Sequence, residues 1–239
     1  MSNTVGHGSR HLLSMRWRDA LFAHWPVEPD VIEPTLPEGL AVDTGPDGRA
    51  WLSIVGFVME DIRPRFSPIG RSFPELNLRT YARHGDETGV YFYNLDADDR
   101  LSVAVARWLF KLPYYRAEMR VTERDGGIRY RSYRTHDGIA PAAFDATIEP
   151  QGTAEPVEPG SLAAFLVENY RFFVAGDGAL YEGTIAHDRW AVAPAELTIR
   201  ENTLFSAEGF DWPSSEPLVQ YAPGESVTAD RIRRVEHSL

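Results

Sequence analysis

Residues 75–83 have the sequence ELNLRTYAR, in which polar and apolar side chains alternate. A period of two is typical of a β-strand, because successive side chains of a strand point to opposite faces of a sheet. Leu76, Leu78 and Thr80 are therefore expected on one face. The other face carries a carboxylate, an amide, a guanidinium and a phenol, which belong to Glu75, Asn77, Arg79 and Tyr81. Neighbours on this face lie about 7 Å apart, close enough to contact one small ligand.

Other segments extend this strand into a larger sheet. Apolar or alternating runs bounded by turn residues predict further strands at 50–59, 90–95, 101–110, 117–121, 128–134, 179–187 and 196–202. Two of these runs flank an ERDGG sequence, which is typical of a β-hairpin turn. The spacing predicts a mostly β protein of the α+β class, with curled antiparallel sheets that form a cone or barrel around a central pocket.

One or two helices are expected to pack on the sheet. Ser161 is a good N-cap for a helix over residues 162–173, and a short helix at 28–40 is interrupted by prolines. Residues 1–15 are predicted to be a flexible N-terminal arm, and residues 16–239 a single domain. The polar tail over residues 223–239 is expected to fray.

Composition and charge exclude several classes of partner. The chain has 24 basic and 35 acidic residues, a net charge of −11, which disfavours binding to nucleic-acid phosphates. We therefore expect no nucleic-acid partner. No apolar run approaches the roughly 18 residues that cross a membrane, so no membrane partner is expected. The N-terminus lacks the apolar core of a secretory signal, which favours a cytoplasmic location.

Cofactor and metal motifs are absent from the sequence. The chain has no cysteine, and its seven histidines are scattered, with no zinc-binding HExxH pattern. Glycine-rich phosphate-binding motifs are also absent. The sequence therefore predicts no metal site and no cofactor.

A second polar group lies in an aromatic run. Residues 106–115 read ARWLFKLPYY and contain Arg107 and Lys111, the only lysine of the chain. Lysine can act as an amine nucleophile, whereas arginine stays protonated. In a strand Lys111 and Tyr114 face opposite sides unless Pro113 introduces a bulge. Simpler interpretations remain open: the aromatic side chains are core, Arg107 forms a structural ion pair with Glu75, and the polar face of residues 75–81 is solvated.

Six segments of the sequence resemble motifs of one protein family. They are FAHWPV (22–27), LPEGL (36–40), FPELNLRTY (73–81), GVYFYNLDA (89–97), residues 106–119 and ENYRFF (168–173). In order and spacing they resemble the YqjF-like family of uncharacterised proteins over roughly residues 15–225, and that family is remotely similar to acetoacetate decarboxylases. The resemblance implies a cone of curled antiparallel sheets around an apolar pocket. It also implies an upstream glutamate and a Schiff-base lysine that follows a proline and stands next to a second lysine.

The resemblance carries over only in part. Glu75, after Phe73 and Pro74, is similar to the upstream glutamate. Arg107 stands where the decarboxylases have a second glutamate. After Pro113 the two lysines are replaced by tyrosines, so that the Schiff-base position is a tyrosine.

These observations predict a pocket that binds or transforms a small organic acid or carbonyl compound. The expected catalytic residues are Glu75, Tyr114 and, as an alternative amine, Lys111. The expected ligand-binding residues are Asn77, Arg79, Arg107 and Tyr115. Two other functions remain open: a non-catalytic ligand-binding or sensory module, and a homo-oligomeric assembly protein whose interface contains Tyr91, Phe92, Tyr93 and Trp108.

Overall fold

The structure is a computed structural model that describes residues 11–235. Its strands are β1 (Leu13–Val27), β2 (Ala41–Val42), β3 (Ala50–Pro64), β4 (Arg71–His84), β5 (Glu87–Ala97), β6 (Tyr114–Arg124), β7 (Gly127–Arg134), β8 (Ala143–Pro150), β9 (Glu155–Pro156), β10 (Arg171–Gly176), β11 (Ala179–Ala186), β12 (Ala191–Asn202), β13 (Leu218–Ala229) and β14 (Arg233–Arg234). The helices of this part of the chain are α1 (Pro29–Ile32), α2 (Arg100–Phe110), α3 (Leu162–Val167) and α4 (Leu204–Ala207), and a 3-10 turn at Glu33–Thr35 follows α1.

The strands form one curled sheet. Its order is β14-β11-β10-β5-β6-β7-β8-β12-β13-β1-β3-β4-β2, and β9 pairs with β12. Further pairings of β4 with β5 and of β11 with β13 bring distant parts of the sheet together, so that it curls around its contents without being a strict barrel. The predicted mostly β fold is therefore confirmed. The pairings are antiparallel except that β5 lies parallel to β6 and to β10.

Strand β4 separates two hydrophobic cores. It pairs with β3 and β5, and Asn77 lies opposite Val55 on one side and Leu95 on the other. Leu76 and Leu78 point into a core with Tyr130 and Phe144. The opposite face of β4 points toward a second core with Phe57, Phe172 and Trp190. The alternation in residues 75–83 therefore predicted the two faces of this strand correctly.

The strand predicted at residues 101–110 is wrong. These residues form α2, and the Asp99 side chain caps the helix by accepting a hydrogen bond of 2.7 Å from the backbone N–H of Ser102. Val103 and Phe110 are buried while Leu101, Val105 and Trp108 are exposed, so the apolar residues do not all face one core. This pattern, together with two valines, imitates the alternation of a strand.

The predicted helix over residues 162–173 is too long. Ser161 does cap α3, since its hydroxyl accepts a hydrogen bond of 3.1 Å from the N–H of Ala164, but the helix ends at Val167. Residues from Arg171 onward form β10, where Phe172 pairs with Val90 of β5 and with Gly183 of β11. Sheet pairing with two neighbours outweighs the local helical pattern of this segment.

The chain ends also differ from expectation. Strand β1 begins at Leu13, so residues 13–15 of the expected arm belong to the sheet, and much of the tail expected to fray is β13. Residues 1–10 and 236–239 lie outside the described residues. The division into an arm and one domain stays a prediction.

Candidate functional site

The second core surrounds a cavity of about 370 Å³. Strands β1, β3, β4, β5, β10 and β11 and helix α2 contribute to its wall. Most of the lining is apolar, including Phe22, Val55, Phe57, Phe92, Phe172 and Trp190. The volume is in the range that holds a small molecule, and an apolar wall with a few polar groups is typical of ligand sites.

Three buried polar side chains of β4 line this cavity in one row. Glu75, Asn77 and Arg79 are 2%, 2% and 7% exposed. They share a face because they are two residues apart in a strand, and β3 and β5 pair with β4 on both sides. We call Glu75, Asn77 and Arg79 the polar row. The structure therefore brings together the polar residues that the sequence placed on one face.

Tyr114 joins the polar row from β6. Its hydroxyl donates a hydrogen bond of 2.6 Å to Oε2 of Glu75, and both residues line the cavity. Burial raises the pKa of Glu75 to about 7, although hydrogen bonds from Tyr114 and Asn77 act in the opposite direction. Burial and the neighbouring Glu75 raise the pKa of Tyr114 well above its usual value. Near neutral pH, Glu75 can therefore take up or release a proton while Tyr114 remains a neutral donor.

Among the described residues, Arg79 is a buried cation without a counter-charge. Its Nη2 donates a hydrogen bond of 3.2 Å to the backbone oxygen of Leu166, and its Nε has no hydrogen-bond partner. Within residues 11–235, no carboxylate oxygen lies within 4.0 Å of this guanidinium. The neighbouring Asn77 Oδ1 is likewise buried without a partner. Buried polar groups are normally satisfied, so these two side chains are the natural contacts of a ligand.

A buried hydrogen-bond network lies next to Arg79. Nδ1 of His24 is 2.7 Å from Oγ of Ser53, which is 2.9 Å from the Tyr81 hydroxyl. That hydroxyl donates to the oxygen of Leu166, the same oxygen that Arg79 contacts. Burial, and secondly the charge of Arg79, lowers the pKa of His24 well below its usual value. His24 is therefore neutral and adds no second positive charge beside Arg79.

Lys111 is not part of the cavity wall. It follows α2 in a left-handed conformation, with φ of 54°, and its Nζ forms an ion pair with the exposed carboxylate of Asp177. The hydrogen bond to Asp177 raises the pKa of Lys111, which keeps the amine protonated. A protonated surface amine is a poor nucleophile. The strand geometry used to judge the direction of Lys111 does not apply, because the preceding residues are helical.

Arg107 and Tyr115 do not line the cavity that contains the polar row. Arg107 is exposed, and its Nη1 donates a hydrogen bond of 2.8 Å to the backbone oxygen of Tyr114. The ion pair of Arg107 with Glu75, which the sequence left open as a simpler interpretation, does not form. Tyr115 contacts Arg107 and Arg134 with its ring face. Of the two arginines expected to bind the ligand, only Arg79 lines the cavity.

Several other cavity residues were missed because α2 was predicted as a strand. Leu101, Ser102 and Val105 form part of the wall. Asn169 and His187 also line the cavity, although they lie outside α2. The sequence contains a signal for the helix, since Asp99 is a residue type favoured at a helix N-cap and precedes the first turn. Of the aromatic residues considered as an oligomer interface, Phe92 lines the cavity and Trp108 is 80% exposed. Oligomerisation stays a prediction.

Residues 11–235 contain no group of three or more histidine, aspartate or glutamate side chains arranged to hold a metal ion. Over the same described range, no helix combines the length and the apolar character needed to span a membrane.

Comparison with solved structures defines the class of fold. An acetoacetate decarboxylase from Legionella pneumophila subsp. pneumophila str. Philadelphia 1 is similar with a TM-score of 0.66 and 12% identity, over 98% of this chain and 93% of that one. The enduracididine biosynthesis enzyme MppR complexed with pyruvate is similar with a TM-score of 0.66 and 13% identity, over the same shares of the two chains. The chain therefore has the acetoacetate decarboxylase-like fold.

Sequence comparison then shows the family. The pattern that defines the DUF2071 family, described as an uncharacterized conserved protein, matches residues 14–226. The uncharacterized protein YqjF of Bacillus subtilis (strain 168) is 39% identical over 226 residues, which cover 93% of this chain and 92% of that protein. The chain belongs to the DUF2071 family, and the expected resemblance to YqjF-like proteins is confirmed.

Proposed function

We propose that the cavity binds a small organic acid that carries a carbonyl group, and that Glu75 exchanges a proton with it. The observation that carries this proposal is Arg79, which lines the cavity, is 7% exposed and has no carboxylate partner in the part of the chain that the structure describes. A buried, uncompensated cation is costly in a folded protein. A ligand carboxylate would supply the missing charge and accept charge-assisted hydrogen bonds from Arg79.

The remaining polar groups suit a carbonyl compound. Near neutral pH both protonation forms of Glu75 are populated, because its pKa is about 7. In its ionised form Glu75 would take a proton from the carbon next to the carbonyl, and the bonding electrons would move to the carbonyl oxygen. Return of the proton restores the compound. Asn77 lies between Arg79 and Glu75 along β4, and its unpaired amide oxygen would accept a hydrogen bond from the hydroxyl of the ligand's enol form.

A similar structure supports the choice of ligands to test. MppR is described as complexed with pyruvate, a small keto acid. In this chain the only lysine forms an ion pair with Asp177, and so the proposed chemistry involves no Schiff base. The hydrogen bond between Tyr114 and Glu75 satisfies both groups within the protein, which favours a second candidate function. In that case the same cavity binds an organic acid without reacting with it.

Binding is tested by thermal unfolding with pyruvate and acetoacetate, with acetone as a control that lacks the carboxylate. We expect the acids to raise Tm of the unmodified protein. Arg79→Met should lose this increase, whereas Arg83→Met, at an exposed arginine of the same strand, should keep it. Without ligand, Arg79→Met should be at least as stable as the parent, because methionine removes an uncompensated buried charge. A full increase of Tm in Arg79→Met would contradict the proposal.

Proton exchange is tested separately in deuterium oxide. The protein should accelerate incorporation of deuterium next to the carbonyl of a bound keto acid, as followed by proton NMR. Glu75→Gln should abolish the acceleration while keeping the increase of Tm, because glutamine retains the shape but cannot accept the proton. Equal exchange by Glu75→Gln and the parent would rule out the role of Glu75. Binding without exchange would identify a non-catalytic module.

A further inference from the structure

Two faces of helix α2 carry different kinds of side chain. Leu101 and Val105 line the cavity. Arg100 and Arg107 instead line an open groove, whose other side is formed by Arg116 at the start of β6 and His136 after β7. The cavity and the groove share none of their lining residues. We call this second feature the arginine groove.

The guanidinium of Arg107 is held in place at the groove. Its Nη1 donates a hydrogen bond of 2.8 Å to the backbone oxygen of Tyr114. Its Cζ lies 5.6 Å from the centre of the Tyr115 ring, within the range of a cation–π contact. The Tyr115 ring also meets the His136 ring edge to face, at 5.4 Å between centres. An arginine fixed by one hydrogen bond and one stacking contact keeps other N–H groups available for a ligand.

His136 presents a further donor. Its Nδ1 accepts a hydrogen bond of 3.1 Å from the backbone N–H of Arg116, so its ring proton is on Nε2. Burial, then the charges of Arg107 and Arg116, lower the pKa of His136, while Asp137 raises it and Arg134 lowers it. The imidazole is therefore neutral at neutral pH and sensitive to any new negative charge nearby.

The charges of the groove do not cancel. Arg116 is paired with the exposed Asp137 at 3.0 Å. Within residues 11–235, no carboxylate oxygen lies within 4.0 Å of Arg100 or Arg107. The three arginines and Asp137 therefore leave two positive charges in a protein whose net charge is −11. A local excess of two positive charges matches a dianion, and arginine forks suit phosphate oxygens.

We propose that the arginine groove is a binding site for a phosphate group, either inorganic phosphate or the phosphate of a small ester. Arg100, Arg107 and Arg116 supply the charge, and Nε2 of His136 supplies a neutral donor. This site does not depend on the proposed chemistry of the cavity. Because α2 contributes to the wall of both features, a phosphate in the groove would contact a helix that also lines the cavity.

The experiment follows the imidazole of His136 by NMR while inorganic phosphate is added at constant ionic strength, with sodium chloride as the reference salt. Bound phosphate should raise the pKa of His136 by about one unit, because a nearby anion favours the imidazolium. Arg100→Gln and Arg116→Gln should each reduce the affinity for phosphate about tenfold or more. Arg124→Gln, at an exposed arginine at the far end of β6, should leave the affinity unchanged.

The outcomes separate specific binding from a general charge effect. The proposal is overturned if chloride shifts His136 as much as phosphate does. It is also overturned if Arg124→Gln weakens the response as much as Arg116→Gln. The phosphate response should persist in Arg79→Met, since that residue lines the cavity and not the groove. Failure of keto acids to bind the cavity would therefore leave this proposal intact.

Discussion

The hydroxyl of Tyr114 donates a hydrogen bond of 2.6 Å to the carboxylate of Glu75 across an intervening strand. Tyr114 on β6 lies opposite Leu95 of β5, and Glu75 on β4 lies opposite Ala97 of β5. The parallel pairing of β5 with β6 therefore brings the residue after Pro113 to the polar row. This contact couples the phenol to the charge of a carboxyl group whose pKa is about 7.

Tyr114→Phe is expected to raise the pKa of Glu75 above 7. The hydrogen bond from Tyr114 stabilises the carboxylate, and its removal leaves burial as the dominant influence on that pKa. The measurement is a pH titration of the carboxyl carbon of labelled glutamate by NMR. Tyr133→Phe, at an exposed tyrosine, is the control and should have no effect. An unchanged or lower pKa of Glu75 in Tyr114→Phe would contradict the contact.

Glu75 should make the protein less stable as pH rises from about 4.5 to about 7. Its pKa is 4.5 in the unfolded chain and about 7 in the folded one, so the folded state binds more protons in this interval. By linkage, the free energy of unfolding falls by roughly 3 kcal/mol across the interval, at about 1.36 kcal/mol per pKa unit. Above about pH 8 Glu75 is almost fully ionised in both states, and its contribution to the free energy of unfolding changes little.

Glu75→Gln should remove this decrease in the free energy of unfolding with rising pH. Urea denaturation measures the free energy of unfolding of the parent and of the variant between pH 4.5 and pH 8. In the difference between the two free energies, the contributions of other groups that titrate in this interval cancel. The variant should be the more stable protein at pH 8. Glu123→Gln, at an exposed strand residue, serves as the control and should follow the parent curve. A parallel pH dependence of Glu75→Gln and the parent would show that Glu75 titrates normally.

Borohydride reduction with keto acids should leave Lys111 unlabelled. Its Nζ is paired with Asp177 and its pKa is raised, so the neutral amine needed for a Schiff base is scarce. Mass spectrometry of peptides can check this directly, since the chain has a single lysine. Reaction at the N-terminal amine provides an internal reference for non-specific labelling. Stoichiometric labelling of Lys111 would restore the amine mechanism.

Arg134→Ala should destabilise the protein by about 3–5 kcal/mol at pH 8. Arg134 is buried and forms ion pairs with Asp96 at 2.8 Å and with Glu208 at 3.1 Å. Its removal leaves the buried Asp96 carboxylate uncompensated. Burial already raises the pKa of Asp96 to about 6 despite the opposing charge of Arg134, so the loss should be smaller at pH 5, where Asp96 becomes neutral.

Chemical denaturation at both pH values measures the effect of Arg134→Ala. Arg131→Ala is the matched control, because Arg131 lies on the same strand, is only half-buried and makes no ion pair within the described residues. Equal losses of stability in the two variants would show that the ion pair between Asp96 and Arg134 does not account for the effect of Arg134→Ala.

Strand periodicity correctly predicted which side chains of β4 share a face. Glu75, Asn77 and Arg79 had to point the same way once residues 75–83 formed a strand, whatever the rest of the chain did. The sequence did not reveal that this face is buried. Burial depends on the pairing of β4 with its neighbours β3 and β5, and also on α3, whose Leu166 lies 87 residues from Arg79 along the chain.

The local sequence pattern led to a wrong prediction for helix α2. Residues 101–110 have apolar side chains on several sides of the helix, and their periodicity therefore imitated a strand. That error changed the predicted directions of Arg107 and Lys111, which the structure separates from the cavity.

The sequence by itself determined the mostly β class and the chemical content of the polar row, because alternation and residue type are local properties. Only the tertiary structure decided that Arg79 lines an apolar cavity while Arg107 lines the arginine groove. The packing of α2 between the two features imposes that choice, and packing depends on residues distant in sequence.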